Sequence, residues 1–88
     1  MADYTPQEEK ELNAELRKWQ NRAKRLTASI YYDSVANDLS DNDISILTRV
    51  TNAESYKDIN PYLWNCGVIE RVLDKISRKL KEERKGSR

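Results

Sequence analysis

Apolar residues recur along this chain at the period of an α-helix. Leu12, Leu16, Trp19, Ala23, Leu26 and Ile30 follow one another at spacings of 4, 3, 4, 3 and 4, which places all six on one stripe. Just upstream, Thr5-Pro6-Gln7-Glu8 has the form of a capping box: the Thr5 hydroxyl accepts from the Glu8 amide, and the Glu8 carboxylate accepts from the Thr5 amide. Pro6 stands at the first helical position, where its missing N–H removes a donor that would be orphaned anyway. Neither Gly nor Pro occurs from residue 7 to residue 60. The pattern predicts a first helix over about residues 6–32, about 40 Å long at 1.5 Å per residue.

After Asp33 the period loses phase and restarts twice. Ser40 precedes Asp41, Asn42 and Asp43, an N-cap followed by carboxylates that favour the positive end of a helix dipole. Ile44, Leu47 and Val50, with Ile46 and Ala53 beside them, predict a short second helix over about 41–53. Its β-branched Thr48, Val50 and Thr51 weaken intrinsic propensity, so this helix depends on packing. Residues 54–60 read as a loop ending in Asn60-Pro61, a second cap followed by proline. Tyr62, Cys66, Ile69, Leu73, Ile76 and Leu80 then repeat the 4, 3, 4, 3, 4 spacing and predict a third helix over about 61–83. Gly67 falls inside it at a cost of about 1 kcal/mol relative to Ala, which points to a close approach by another group. Residues 1–4 and 84–88 are expected to fray.

Charge suggests how these elements pair. The first helix begins acidic, with Glu8, Glu9, Glu11 and Glu15, and continues basic, with Arg17, Lys18, Arg22, Lys24 and Arg25. The third ends basic, so an antiparallel pairing of the two long helices sets acid beside base. The expected fold is all-α: a single small domain over 1–88, built as an antiparallel helical hairpin with the short helix as a third wall. Exposed ion pairs contribute only about 0.2 to 1 kcal/mol each, so the apolar stripes carry the stability. The same 4-3 repeat suits a seam between copies, and a homodimer stands beside the monomer.

Composition sharpens what chemistry to expect. Leu, Ile and Val number 8, 6 and 4, a thin core at the compositional edge of disorder, but 16 basic against 15 acidic residues leave a net charge of only +1. No apolar run is long enough to span a membrane and no leader pattern opens the chain, so a cytoplasmic protein without membrane contact is expected. The chain has no His and one Cys, Cys66, which removes the commonest general base and the usual zinc ligand sets. Cys66 reads as a small buried hydrophobe. The Asp38–Asp43 run resembles a calcium loop but lacks its Gly and Glu, and the capping reading is better. No cofactor, metal or catalytic residue is expected, and the chain is not expected to be an enzyme.

Two constellations suit binding. Tyr56, Tyr62 and Trp64 open the third helix while Tyr31 and Tyr32 close the first, so a hairpin gathers these aromatics at one end beside Asp41, Asp43 and other carboxylates. Trp64 lies about 200° from Tyr62 around the helix, so one stripe cannot bury both. An acidic aromatic end of this kind fits a basic groove on a larger protein, with Asp41, Asp43, Tyr56, Tyr62 and Trp64 as the contact residues. Against this, Leu63, Trp64, Val68 and Val72 also suit a second packing face. The alternative is nucleic acid, contacted through a ridge of Lys18, Arg22 and Arg25. A helix-turn-helix over 41–80 is a poorer fit, because its recognition helix would open on Tyr62-Leu63-Trp64. The expected function is therefore that of an adaptor, assembly factor or inhibitor. Mobile genetic elements, phages among them, encode many small charged helical chains, a background expectation attached to no residue.

Overall fold

A computed structural model describes residues 4–65 and 67–86. Among them are five α-helices and no strand: α1 (Pro6–Thr27), α2 (Tyr32–Ala36), α3 (Asp41–Asn52), α4 (Pro61–Asn65) and α5 (Val68–Gly86), with a 3₁₀ turn at Tyr56–Asp58 before α4. The capping box predicted for α1 forms in both directions, with the Glu8 amide donating to Thr5 Oγ1 at 3.2 Å and the Thr5 amide to Glu8 Oε1 at 3.1 Å. Ser40 does the same for α3, its Oγ accepting from the Asp43 amide at 3.1 Å.

The first helix stops five residues short of its predicted end. Thr27-Ala28-Ser29-Ile30-Tyr31-Tyr32 combines β-branched and aromatic residues of low helix propensity with hydroxyls that compete for backbone groups. Thr27 Oγ1 donates to the Lys24 carbonyl, and Ser29 Oγ accepts from the Tyr31 amide. The chain turns there, α2 begins, and Ile30, the last residue of the predicted stripe, is 87% exposed. The third predicted helix is also divided. Gly67 has φ of +64°, and a Cβ built on it would meet nothing within 4 Å. Its role is therefore conformational: it supplies the left-handed step between α4 and α5, and the expected close approach is absent. Its carbonyl then accepts from the Arg71 amide at 3.1 Å, opening α5. The prediction for Cys66 lies outside the described residues.

The two long helices do not form the predicted antiparallel hairpin. Moving up α1, the contacts move up the later chain in the same sense. Tyr56 meets Glu9 and Asn13, Trp64 meets Trp19, and Asp74 meets Arg22. Val35 and Asp38, beyond the end of α1, lie beside Lys79, Glu82 and Glu83 of α5. The order is up-down-up, with α1 and α5 parallel and α3 running back between their ends. Connectivity explains the correction. Short connections on either side of α3 reverse the chain twice, and two reversals restore the original direction, whereas the charge argument rested on pairs of small energy. Two basic residues pair with acids on neighbouring helices: Arg22 with Asp74 at 2.6 Å and Lys75 with Asp43 at 2.7 Å.

The core lies where the three helices meet. Leu16, Trp19 and Ala23 of α1, Ile46, Leu47 and Val50 of α3, and Ile69, Val72, Leu73, Ile76 and Leu80 of α5 are buried, with Val35, Leu39 and Ile59 closing the two ends. Gln20 joins two elements directly: its Nε2 donates to the carbonyls of Val50 and Ala53 at 3.0 and 2.7 Å, adding to the one long bond, 3.4 Å from the Ala53 amide, that the Val50 carbonyl accepts at the C-terminus of α3. The molecule extends 51 × 20 × 18 Å. Residues 84–86, expected to fray, continue α5, and Tyr4 sets its ring edge-on to Tyr56 at 5.6 Å. The remaining residues expected to fray, 1–3 and 87–88, lie outside the described residues. No helix among the described residues is long and apolar enough to cross a membrane.

Candidate functional site

The parallel arrangement disperses the aromatic end predicted from sequence. Tyr31 and Tyr32 stand at the α1–α2 junction, while Tyr56 lies toward the start of α1 and Trp64 beside its middle. Tyr56 is tied down on several sides: its hydroxyl donates to Glu9 Oε2 at 2.6 Å, its amide donates to Asn13 Oδ1 at 2.9 Å, and its carbonyl accepts from Trp64 Nε1 at 3.4 Å. Trp64 is half-buried against the core, with its ring 4.6 Å from that of Trp19 and tilted by 39°. Both residues hold the 3₁₀ turn and α4 onto α1, so the reading of Trp64 as a packing residue accounts for its contacts.

Asp41 and Asp43 sit at the other end of α3 from Tyr56, a helix of 12 residues and about 18 Å at 1.5 Å per residue. Asp41 is exposed in the first turn. Asp43 is structural: its carboxylate accepts from Lys75 Nζ at 2.7 Å and from the Ser40 amide at 3.4 Å. These bonds, that from Lys75 foremost, hold its carboxyl below the ordinary carboxylate range, against a smaller opposing effect of burial. On α1, Lys18 and Arg25 are exposed, whereas Arg22 is committed to Asp74. The predicted ridge is thus a row interrupted by an ion pair.

One predicted residue stands apart. Tyr62 is 63% exposed, although it opens the apolar stripe of the third predicted helix. The break at Gly67 turns α4 out of phase with α5, so the Tyr62 ring stands at the lip of a groove instead of in the core. This groove, about 520 Å³ in volume, runs between α3 and the α4–α5 segment. Its lining is mixed: buried Ile46 and Val72 and half-buried Leu63 and Val68 supply the apolar part. Arg49 contributes from α3, Arg71 and Lys75 from α5, and Asn42 and Asn60 from the two ends. Asp43 is the one carboxylate lining it among the described residues, and it is engaged by Lys75. Arg71 is oriented by donation from its Nε to the Gly67 carbonyl at 3.4 Å.

Sequence reasoning singled out Tyr62 and Asp43 but missed Arg49 and Arg71, which fall on different helices and share no motif. The spacing of Arg71 and Lys75, four apart on α5, was a signal that they share one helix face. Nothing local indicated that α3 would bring Arg49 opposite them. No family model matches the chain, and no curated protein or solved structure resembles it closely enough to carry a relationship.

Proposed function

We propose that the chain is a small non-catalytic helical module that binds a larger protein, as an adaptor, assembly factor or inhibitor, through the groove between α3 and α4–α5. The observation that carries this reading is Tyr62, a large aromatic 63% exposed at the lip of a groove of mixed polar and apolar lining. Tyr and Arg are among the residue types that most often dominate binding energy at protein interfaces, and both line this groove. The three-helix core holds the groove walls, so the module presents a formed surface.

The test is Tyr62→Ala. An exposed residue contributes little to folding, so this change should leave the melting temperature within about 2 °C while weakening partner binding at least tenfold, as loss of an interfacial aromatic anchor does. Unchanged binding would remove the groove from the interface. If binding instead survives every groove variant and collapses between about 50 and 200 mM salt, the contact is with nucleic acid through Lys18 and Arg25. Sedimentation velocity of the isolated chain separates partner capture from self-association, the homodimer that the apolar stripes would otherwise serve.

A further inference from the structure

Parallel packing of α1 and α5 sets the basic half of one helix beside the basic half of the other. On α1, Lys18, Arg22 and Arg25 follow at spacings of 4 and 3 and share one stripe. On α5, Asp74, Arg78, Lys81 and Lys85 follow at spacings of 4, 3 and 4 and share another. The 2.6 Å pair between Arg22 and Asp74 joins the two stripes, so both border the same side of the helix pair. Asp74 is the one acid among these seven residues, and Arg22 engages it. The side chains of Lys18, Arg25, Arg78, Lys81 and Lys85 are exposed, and none of the five has an ion-pair or hydrogen-bond partner among the described residues. With Arg22 and Asp74 at one level, 1.5 Å per residue makes the track from Lys18 to Lys85 about 22 Å long. Toward the start of α1 the same stripe turns acidic, at Glu11 and Glu15, while Glu82 and Glu83 lie on the α2 side of α5 beside Lys79.

We infer that this track is a second binding surface, independent of the groove, and that it takes the phosphate backbone of duplex nucleic acid. The ridge read from sequence is half of it: Arg22 is committed to Asp74, and α5 supplies Arg78, Lys81 and Lys85. Five cations without a neutralising carboxylate match a line of phosphates and gain by releasing the counterions condensed on it. Composition hides the track, because a net charge of +1 averages it with the acidic start of α1. None of the seven positions is apolar or aromatic, and that decides the class of partner. A protein interface needs an apolar or aromatic centre, and a lipid surface needs an apolar face to insert. Unpaired bases need rings on which to stack. A duplex needs none of these, since its phosphates are outermost. Contacts to phosphate carry no base identity, so binding is independent of sequence.

Fluorescence anisotropy of the full chain tests this with three labelled probes: a mixed-sequence DNA duplex of about 20 base pairs, a thymidine single strand of the same length, and an aspartate-rich peptide. Five phosphate contacts give a slope of about −4.5 for log K against log salt, so duplex affinity should fall about 500-fold between about 50 and 200 mM salt. Lys18→Gln with Lys81→Gln should flatten the slope by about 2 and weaken duplex binding at least tenfold at the lower salt. Both side chains are exposed, so the melting temperature should stay within about 2 °C. Lys10→Gln with Lys57→Gln removes the same charge from exposed positions off the track and should leave the slope unchanged. Tyr62→Ala should also leave duplex binding unchanged, which separates this surface from the groove. Equal losses in the two double-lysine variants would mean that net charge, not the track, binds, and would overturn the inference. So would tighter binding of the thymidine strand or of the aspartate-rich peptide than of the duplex, a slope near zero, or no duplex binding at about 50 mM salt. Loss of duplex binding in Tyr62→Ala would overturn the independence of the two surfaces.

Discussion

Replacing Trp64 by Ala separates a packing residue from a contact residue more sharply than any other change. The indole is half-buried, stacks on Trp19 with ring centres 4.6 Å apart, and donates from Nε1 to the Tyr56 carbonyl at 3.4 Å. Trp buries about 150 to 250 Å² when enclosed. Half of that range, at about 25 cal/mol per Å², is worth about 2 to 3 kcal/mol. The aromatic pair adds about 0.5 to 1.5 kcal/mol, and the long hydrogen bond little. A loss of about 3 to 4 kcal/mol is a large share of the roughly 4 to 13 kcal/mol available to a domain of this size. At about 4 to 8 °C per kcal/mol, melting followed by circular dichroism at 222 nm should fall by roughly 12 to 30 °C. Trp64→Phe should recover much of the loss, since it restores a ring against Trp19. The near-ultraviolet signal of the indole pair should vanish in both variants. A Trp64→Ala melting temperature within about 3 °C of the parent would refute the packing, and with it the placement of α4 on α1.

Three further changes probe the joints of the bundle. Gln20→Ala strips donors from the Val50 and Ala53 carbonyls and should destabilise by about 1 to 3 kcal/mol in urea titration; Gln20→Glu should be worse at neutral pH, because a carboxylate would face the negative end of α3. Asp43, held below its ordinary 3.8 chiefly by Lys75, contributes stability that is fully present above about that pH and is lost as pH falls through its lower folded value. Asp43→Asn should lower stability at pH 7 and flatten the acid limb of a plot of melting temperature against pH, and an unchanged acid limb would show that the Lys75 bond is not formed. Gly67→Ala forces a side chain into the left-handed region at φ +64° at about 1 kcal/mol, or roughly 4 to 8 °C, with Gly67→Asn milder; a rise in melting temperature would mean that α4 and α5 are one continuous helix.

Features specified within a few residues were legible in the sequence. Thr5 and Ser40 cap their helices as predicted because capping boxes are completed within one turn. The stripes Leu16-Trp19-Ala23 and Ile69-Leu73-Ile76-Leu80 are buried because their period admits one solution. The end of α1 was missed because an apolar residue at the right spacing, Ile30, outweighed the weak propensity of Ser29 and the two tyrosines that follow it. Helix direction was missed because surface charge was asked to decide what chain reversal at either end of α3 determines. The same error gathered Asp41, Tyr56 and Trp64 into one site, when α3 separates the first from the other two. The groove was invisible for a related reason: Arg49, Tyr62 and Arg71 meet only through tertiary packing, and the left-handed step at Gly67 that turns Tyr62 outward depends on a backbone angle that the residue permits without requiring.

The most direct test of the account places a photo-crosslinking amino acid at residue 62 in one version of the chain and at residue 18 in another, irradiates each in lysate of its source cell with and without nuclease, and identifies the adducts by mass spectrometry. The account predicts one dominant protein adduct from position 62, unaffected by nuclease, and no comparable adduct from position 18. Adducts that form from position 18 alone and disappear with nuclease would contradict it and move the function to the basic face of α1.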